Sequence, residues 1–93
     1  MKPLSSNKEL YDYLMCLHGT LRDRGADELS AIAYHASRHV VENVSTVFLG
    51  ESRIALRRVL KDEKGILNGQ ERADLIDVLK QIDDDFDRRQ RQP

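Results

Sequence analysis

Two sets of apolar residues, one near each end of the chain, repeat at the spacing of a helix face. Within each set the residues follow one another at steps of four, three and four positions. The sets are Leu10, Leu14, Leu17 and Leu21, and Leu75, Leu79, Ile82 and Phe86. Such spacing puts each set on one side of an α-helix. Because the two prolines, Pro3 and Pro93, lie at the ends of the chain, no proline interrupts a helix between them.

Helix-start and helix-stop patterns divide the chain further. Ser6 with Glu9, and Asn68 with Glu71, have the spacing of a capping box. Gly25 follows the first apolar set as a helix-ending residue. We therefore predict an all-α fold, a compact antiparallel bundle of about four helices, approximately at residues 7–24, 27–42, 47–62 and 69–88.

The second and third predicted helices carry apolar stripes of their own, and further apolar residues widen the stripe of the last. These residues are Leu29, Ile32, Ala33, Ala36, Val40 and Val44, then Phe48, Leu49, Ala55, Leu56, Val59 and Leu60, then Ala73, Ile76 and Val78. The β-branched run at residues 40–44 also fits a short strand, but a lone strand has nothing to pair with. The first and last helices have the strongest stripes, so we expect them to pack together, or their leucine seams to join two copies as a homodimer.

Composition limits the class of protein. The chain has 93 residues, 40% of them apolar, with a formal net charge of −1, which is not the composition of a disordered protein. We expect a single domain over residues 1–93, with frayed tails at 1–5 and 89–93. No apolar run reaches membrane-spanning length, and residues 1–6 lack the apolar core of a signal peptide, so we expect a cytoplasmic protein that makes no membrane contact.

Residues with catalytic or metal-binding chemistry are few. His35 and His39 have the four-residue spacing of helical metal sites, but Ala36 stands where the HExxH motif has its glutamate, and nothing fixes a third ligand nearby. Cys16 is the one cysteine, and it is expected as a small apolar residue at the core margin. The chain has no glycine-rich phosphate loop and no nucleophile elbow. We therefore expect no enzyme activity, no cofactor and no metal site, and interpret the two histidines as surface residues available for contact.

Charged residues concentrate in two stretches. Residues 71–87 hold seven acids against two bases, a local charge of −5. Five of these acids, Asp77, Asp83, Asp84, Asp85 and Asp87, are candidates for a partner-facing surface, or alternatively pair with nearby arginines. Residues 52–61 hold no acid and four bases, Arg53, Arg57, Arg58 and Lys61.

Residues 48–60, FLGESRIALRRVL, form the most distinctive segment. They resemble a segment of the small helical immunity proteins of bacterial polymorphic toxin systems, including MafI-type ones, in which an apolar-Gly-Glu-x-Arg-x-Ala-Leu-Arg pattern follows a Ser/Thr-rich turn. The resemblance extends over residues 27–87, with the acid-acid-Leu start at 27–29 and the alternating Leu/Ile and acidic residues of 74–86.

The resemblance implies a protein that binds and neutralises a cognate toxin domain. By their chemistry rather than by family match, we expect the partner-binding residues to include Tyr34, His35, Arg38 and His39, besides the five aspartates. Tyr11 and Tyr13 are further candidates. One alternative is a small DNA-binding regulator that uses Arg53, Arg57, Arg58 and Lys61, although the near-zero net charge argues against nucleic acid. Another alternative is a phage-type inhibitor or adaptor protein.

Overall fold

The structure is a computed structural model that describes residues 6–41 and 45–91, with the backbone alone described at 41, 45, 46 and 89–91. These residues form four α-helices, α1 (Asn7–Asp23), α2 (Asp27–Ser37), α3 (Ser45–Asp62) and α4 (Gly69–Arg91), and a 3-10 turn (Arg38–Val41) after α2. Each helix packs against the next in the chain. The predicted all-α helical bundle is confirmed. None of the described helices has the combination of length and apolar character that a membrane crossing requires.

The predicted capping boxes begin α1 and α4. The Ser6 hydroxyl accepts a hydrogen bond of 3.3 Å from the Glu9 N–H. At α4 the exchange runs both ways, because the Glu71 N–H donates to Asn68 Oδ1 at 2.8 Å and the Asn68 N–H donates to Glu71 Oε1 at 2.9 Å. Each bond satisfies a backbone or side-chain group that the helix start leaves without a partner.

Two predicted helix ends are wrong. α2 ends at Ser37 rather than at residue 42, since the Ser37 hydroxyl donates to the Tyr34 carbonyl and so competes with helix continuation. The chain then tightens into the 3-10 turn, which includes residues 40 and 41 of the predicted strand alternative. The rest of that alternative, residues 42–44 with Val44, lies outside the described residues. α4 continues to Arg91, past the predicted end at 88, because neither glycine nor proline occurs between Gly69 and Pro93.

The core is built from both apolar sets that the sequence analysis identified. All four leucines of α1 are buried, as are Leu75, Leu79 and Ile82 of α4, while Phe86 is partly buried against them. The leucine seams therefore lie within the core of one protomer rather than on a surface for a second copy. Three expectations are wrong, because Ala73, Ile76 and Cys16 are exposed. Ala73 lies on the side of α4 opposite the buried stripe, and Ile76 lies at the flank of the stripe.

Side chains, rather than close packing, connect α1 to α4, which are not among the closely packed helix pairs of the described chain. Arg24, just after α1, donates from both terminal nitrogens to Glu71, at 2.5 and 2.9 Å. This hydrogen bonding lowers the pKa of the Glu71 carboxyl. Tyr13 faces the same junction, where burial, reinforced by Asp74, raises the pKa of its hydroxyl above the ordinary value.

A buried carboxylate organises the loop between α3 and α4. The Glu63 side chain is 1% exposed and accepts hydrogen bonds from the N–H groups of Gly65 and Leu67 and from Arg72. Burial alone would raise the pKa of Glu63, but these hydrogen bonds outweigh it, and the pKa lies below its ordinary value. The loop turns through Lys64 and Gly65, both at positive φ, and so reverses the chain into α4.

Candidate partner-binding surface

Tyr34 lies at the centre of a group of ring and guanidinium side chains at the junction of α1 and α2. Its ring centroid is 5.2 Å from that of His18 and 6.0 Å from that of His35. Arg38 donates from Nη1 to the Tyr34 hydroxyl at 2.9 Å, and its guanidinium carbon is 5.8 Å from the ring centroid. We call these four residues the Tyr34 cluster. His35 and Arg38 are exposed, whereas His18 and Tyr34 are half-buried.

The His18 ring is fixed by Ser30, across the α1–α2 contact. The Ser30 hydroxyl donates to the His18 backbone carbonyl at 2.9 Å. Because the hydroxyl proton is used in this bond, the hydroxyl oxygen acts as the acceptor toward His18 Nδ1–H, 2.7 Å away. The Ser30 carbonyl oxygen, which can only accept, lies 3.1 Å from the same nitrogen. This network assigns the proton to Nδ1 and holds the ring against Tyr34. The cluster is therefore anchored on both helices before any partner arrives.

The position of each cluster residue follows from the local fold. Tyr34, His35 and Arg38 occupy one helical turn, which places Tyr34 and Arg38 together at a separation of four residues. Arg38 is the first residue of the 3-10 turn, so the early end of α2 sets where its guanidinium lies. His39 follows in the same turn and is half-buried. Of the predicted set, the cluster therefore contains Tyr34, His35 and Arg38.

The five candidate aspartates of α4 have different surroundings. Asp83 accepts from Arg53 at 3.5 Å and from Arg57 at 3.3 Å, both across the α3–α4 contact. Asp85 accepts from Arg88 at 3.3 Å. The remaining members are Asp77, which accepts from Gln81, and Asp84 and Asp87, which are exposed. Since α2 and α4 are not a closely packed pair in the described residues, the Tyr34 cluster and these acids belong to different parts of the surface.

The basic face of α3 is largely neutralised by carboxylates. Besides the two bonds to Asp83, Arg58 pairs with Asp62 and, at 3.2 Å, with Glu28. Hydrogen bonding to Asp62 raises the pKa of Arg58. Arg53 also lies 4.7 Å from the centroid of the Phe86 ring. Among the four bases of this face, Arg53, Arg57 and Arg58 are thus engaged within the protein, and Lys61 is exposed.

Metal binding receives no support in the described part of the chain. No group of three or more His, Cys, Asp or Glu side chains there has an arrangement that could hold a metal ion.

Tyr11 and Tyr13, the further contact candidates, are both partly buried against the core.

His18 is the cluster residue that sequence reasoning missed. The signal was the short connection between α1 and α2, since an antiparallel hairpin pairs residues whose numbers have a nearly constant sum. His18 meets Ser30 and Tyr34, and Met15 meets Ser37, in this register. Projecting the hairpin about Gly25 would have placed His18 opposite Ile32, between Ser30 and Tyr34.

Comparisons of the chain with protein-family models, with curated proteins and with solved structures found no match.

Proposed function

We propose that this chain is an immunity-type protein that binds and neutralises a bacterial toxin domain, and that the Tyr34 cluster is the centre of its binding surface. The observation that carries the choice of surface is the fixed juxtaposition of Tyr34, His18, His35 and Arg38 at the α1–α2 junction. The toxin as partner comes from the resemblance of residues 48–60 to immunity proteins.

The cluster has the chemistry of an interface centre. Tyrosine and arginine are enriched among residues that dominate binding energy. Because Ser30 holds His18 and Arg38 is bonded to the Tyr34 hydroxyl, less side-chain freedom is lost on binding. A standard interface covers about 800 Å² on each partner, roughly an eighth of the 5944 Å² accessible surface of this chain.

The DNA-binding alternative has less support. A protein that binds duplex DNA through α3 needs free cations along that helix to replace the counterions of the phosphates. Here Arg53 and Arg57 share Asp83, and Arg58 has two carboxylate partners. Binding phosphates would require these pairs to break.

The test captures the partner of the chain and then measures whether that partner is toxic. The affinity-tagged chain is expressed in its native host, and the captured partner is identified by mass spectrometry. That partner is then expressed in a bacterial host with and without the chain. We expect a partner that stops growth when expressed alone, growth restored by the chain, and a complex of defined stoichiometry in light scattering. A captured partner that is harmless alone, or growth that the chain fails to restore, would refute the proposal.

Variants connect protection to the proposed surface. His35→Ala removes an exposed cluster ring with little effect on folding, and Tyr34→Ala removes the central ring. We expect Tyr34→Ala to weaken the complex at least about 30-fold, as for residues that dominate interfaces, and His35→Ala to weaken it less. Ile54→Ala is the matched control, because Ile54 is 64% exposed on α3, and we expect it to leave the affinity unchanged.

A further inference from the structure

Arg38 differs from the other arginines of the protein. Among the arginine side chains that the structure describes, each of the others lies within 4.0 Å of a carboxylate oxygen, and Arg38 alone does not. These other arginines are Arg22, Arg24, Arg53, Arg57, Arg58, Arg72 and Arg88. The Arg38 guanidinium instead donates one N–H to the neutral Tyr34 hydroxyl. No carboxylate among the described side chains therefore compensates its charge, and four of its five N–H donors are left for other acceptors.

The two segments that carry the Tyr34 cluster contain no acids. Residues 29–41 contain no Asp or Glu, although the chain has sixteen acids in 93 residues. Residues 13–21, the part of α1 that carries His18, contain none either. All three histidines of the chain, His18, His35 and His39, lie in these two segments. The α1–α2 face is thus a region where an incoming negative charge meets no like charge from either segment.

The geometry suits a planar anion. A guanidinium presents parallel N–H groups that match the two oxygens of a carboxylate. The bond to the Tyr34 hydroxyl holds one N–H of the Arg38 guanidinium in place, and the exposed His35 ring lies edge-on to the Tyr34 ring, with the two centroids 6.0 Å apart. An acidic side chain entering here meets a charged donor that the Tyr34 hydroxyl already orients.

We infer that the Tyr34 cluster receives an Asp or Glu side chain of the partner protein, with Arg38 as its principal donor. This inference rests on the proposed function for the existence of a protein partner, and it adds the chemistry of the partner's contact. A protein carboxylate fits better than a nucleic acid, since one arginine on a chain of net charge −1 provides a point contact rather than the row of cations that a phosphate backbone requires. The partner's contacting surface is therefore acidic at this point.

The experiment uses the full ¹⁵N-labelled chain and two capped pentapeptides, Gly-Glu-Leu-Glu-Gly and its neutral counterpart Gly-Gln-Leu-Gln-Gly. Backbone and arginine side-chain N–H signals are followed by NMR during titration. We expect the acidic peptide to bind with a Kd of about 1–10 mM, as a single charged contact allows, and to shift the signals of Tyr34, His35 and Arg38 most. Arg38→Gln should weaken this binding at least fivefold, while Arg57→Gln, the same change on an ion-paired arginine, should change it less than twofold.

Three results would overturn the inference. The first is equal binding of the two peptides, or no binding of either. The second is an equal effect of the Arg38 and Arg57 variants. The third concerns Glu42, which follows the acid-free segment and lies outside the described residues: Glu42→Gln should change binding less than twofold, and a fivefold gain would show that Glu42 already occupies Arg38.

Further arms separate this inference from the proposed function. A twelve-base-pair DNA duplex is titrated in the same way. If it shifts the cluster signals at a lower concentration than the peptide does, phosphate rather than carboxylate is the preferred ligand and the inference is overturned. If a captured toxin binds wild type and Arg38→Glu within threefold of each other, the immunity function stands and the inference fails. If the acidic peptide binds through Arg38 but the chain neutralises no toxin, the inference stands and the proposed function fails.

Discussion

Replacing Glu63 with Gln tests whether a buried carboxylate holds the α3–α4 loop. Glu63 Oε2 accepts from the Leu67 N–H at 2.8 Å, and Oε1 accepts from the Gly65 N–H at 3.2 Å and from Arg72 at 2.8 Å. An amide has one oxygen, so in either orientation the Gln NH₂ group faces at least one of these donors. A buried donor without an acceptor costs about 1–3 kcal/mol, and a hydrogen bond to a charged group contributes about 1.5–3 kcal/mol.

We therefore expect Glu63→Gln to lower the free energy of unfolding by about 2–4 kcal/mol, a large part of the roughly 5–15 kcal/mol typical of a folded domain. The assay is urea denaturation at pH 7, followed by circular dichroism at 222 nm. Asp84→Asn is the matched control, because it makes the same chemical change at an exposed acid of α4, and its curve should superimpose on that of wild type. A loss below about 0.5 kcal/mol for Glu63→Gln, the range of neutral surface changes, would refute this account of the loop.

The pH dependence of the stability of wild type and of Glu63→Gln gives an independent check. Since the folded-state pKa of Glu63 is lowered, its ionised form stabilises the fold above the unfolded glutamate pKa of about 4.3. That contribution is lost as the pH falls through the folded-state pKa. The stability gap between wild type and Glu63→Gln should be complete at neutral pH and shrink below about pH 4. A gap that stays constant on acidification would show that the variant acts by packing rather than by charge.

Two further predictions concern one core leucine and two glycines. Leu79→Ala should cost about 2–5 kcal/mol in urea denaturation, because Leu79 is buried in the core, and a loss below about 1 kcal/mol would contradict that placement. Gly19→Ala and Gly25→Ala should have opposite signs, although an added Cβ meets no atom within 4 Å at either site. Gly19 is inside α1, so alanine should raise the melting temperature, whereas Gly25 has a φ of 81°, so alanine should lower it. Equal shifts in the two melting temperatures would contradict the conformational argument.

The elements that the sequence predicted well are those fixed by local interactions. The four-residue and three-residue steps of the leucines identify a buried helix face without reference to other helices. The capping exchange between Asn68 and Glu71 occurs within one turn, so its residues reveal it directly. The end of α2 was mistaken because the competing bond, from the Ser37 hydroxyl to the Tyr34 carbonyl, is one of several local options for a serine in a helix.

The residues that the sequence misplaced depend on how helices pair. Ala73 and Ile76 have apolar side chains on α4, but the direction of the α3 contact leaves them exposed. Glutamate is usually a surface residue, and Glu63 is buried only because its own loop folds around it. His18 acquires a role because the α1–α2 register brings it to Tyr34. For Ala73, Ile76 and His18 the missing information is a contact between distant residues, and for Glu63 it is the conformation of its own loop. Periodicity contains neither.

The choice between candidate surfaces depends on this same pairing of helices. From the sequence, the aspartates of α4 and the arginines of α3 are each an interaction surface of one sign. The α3–α4 register sets Arg53 and Arg57 against Asp83, so these three charges are partly committed to one another. Arg38 lies on a face where neither packed segment offers a carboxylate, and its guanidinium is positioned by a neutral hydroxyl. A charge that is held in place, and that no carboxylate in the described part of the chain compensates, is one that a partner can still use. For that reason the Tyr34 cluster, rather than the more highly charged α3–α4 face, is the stronger candidate for recognition.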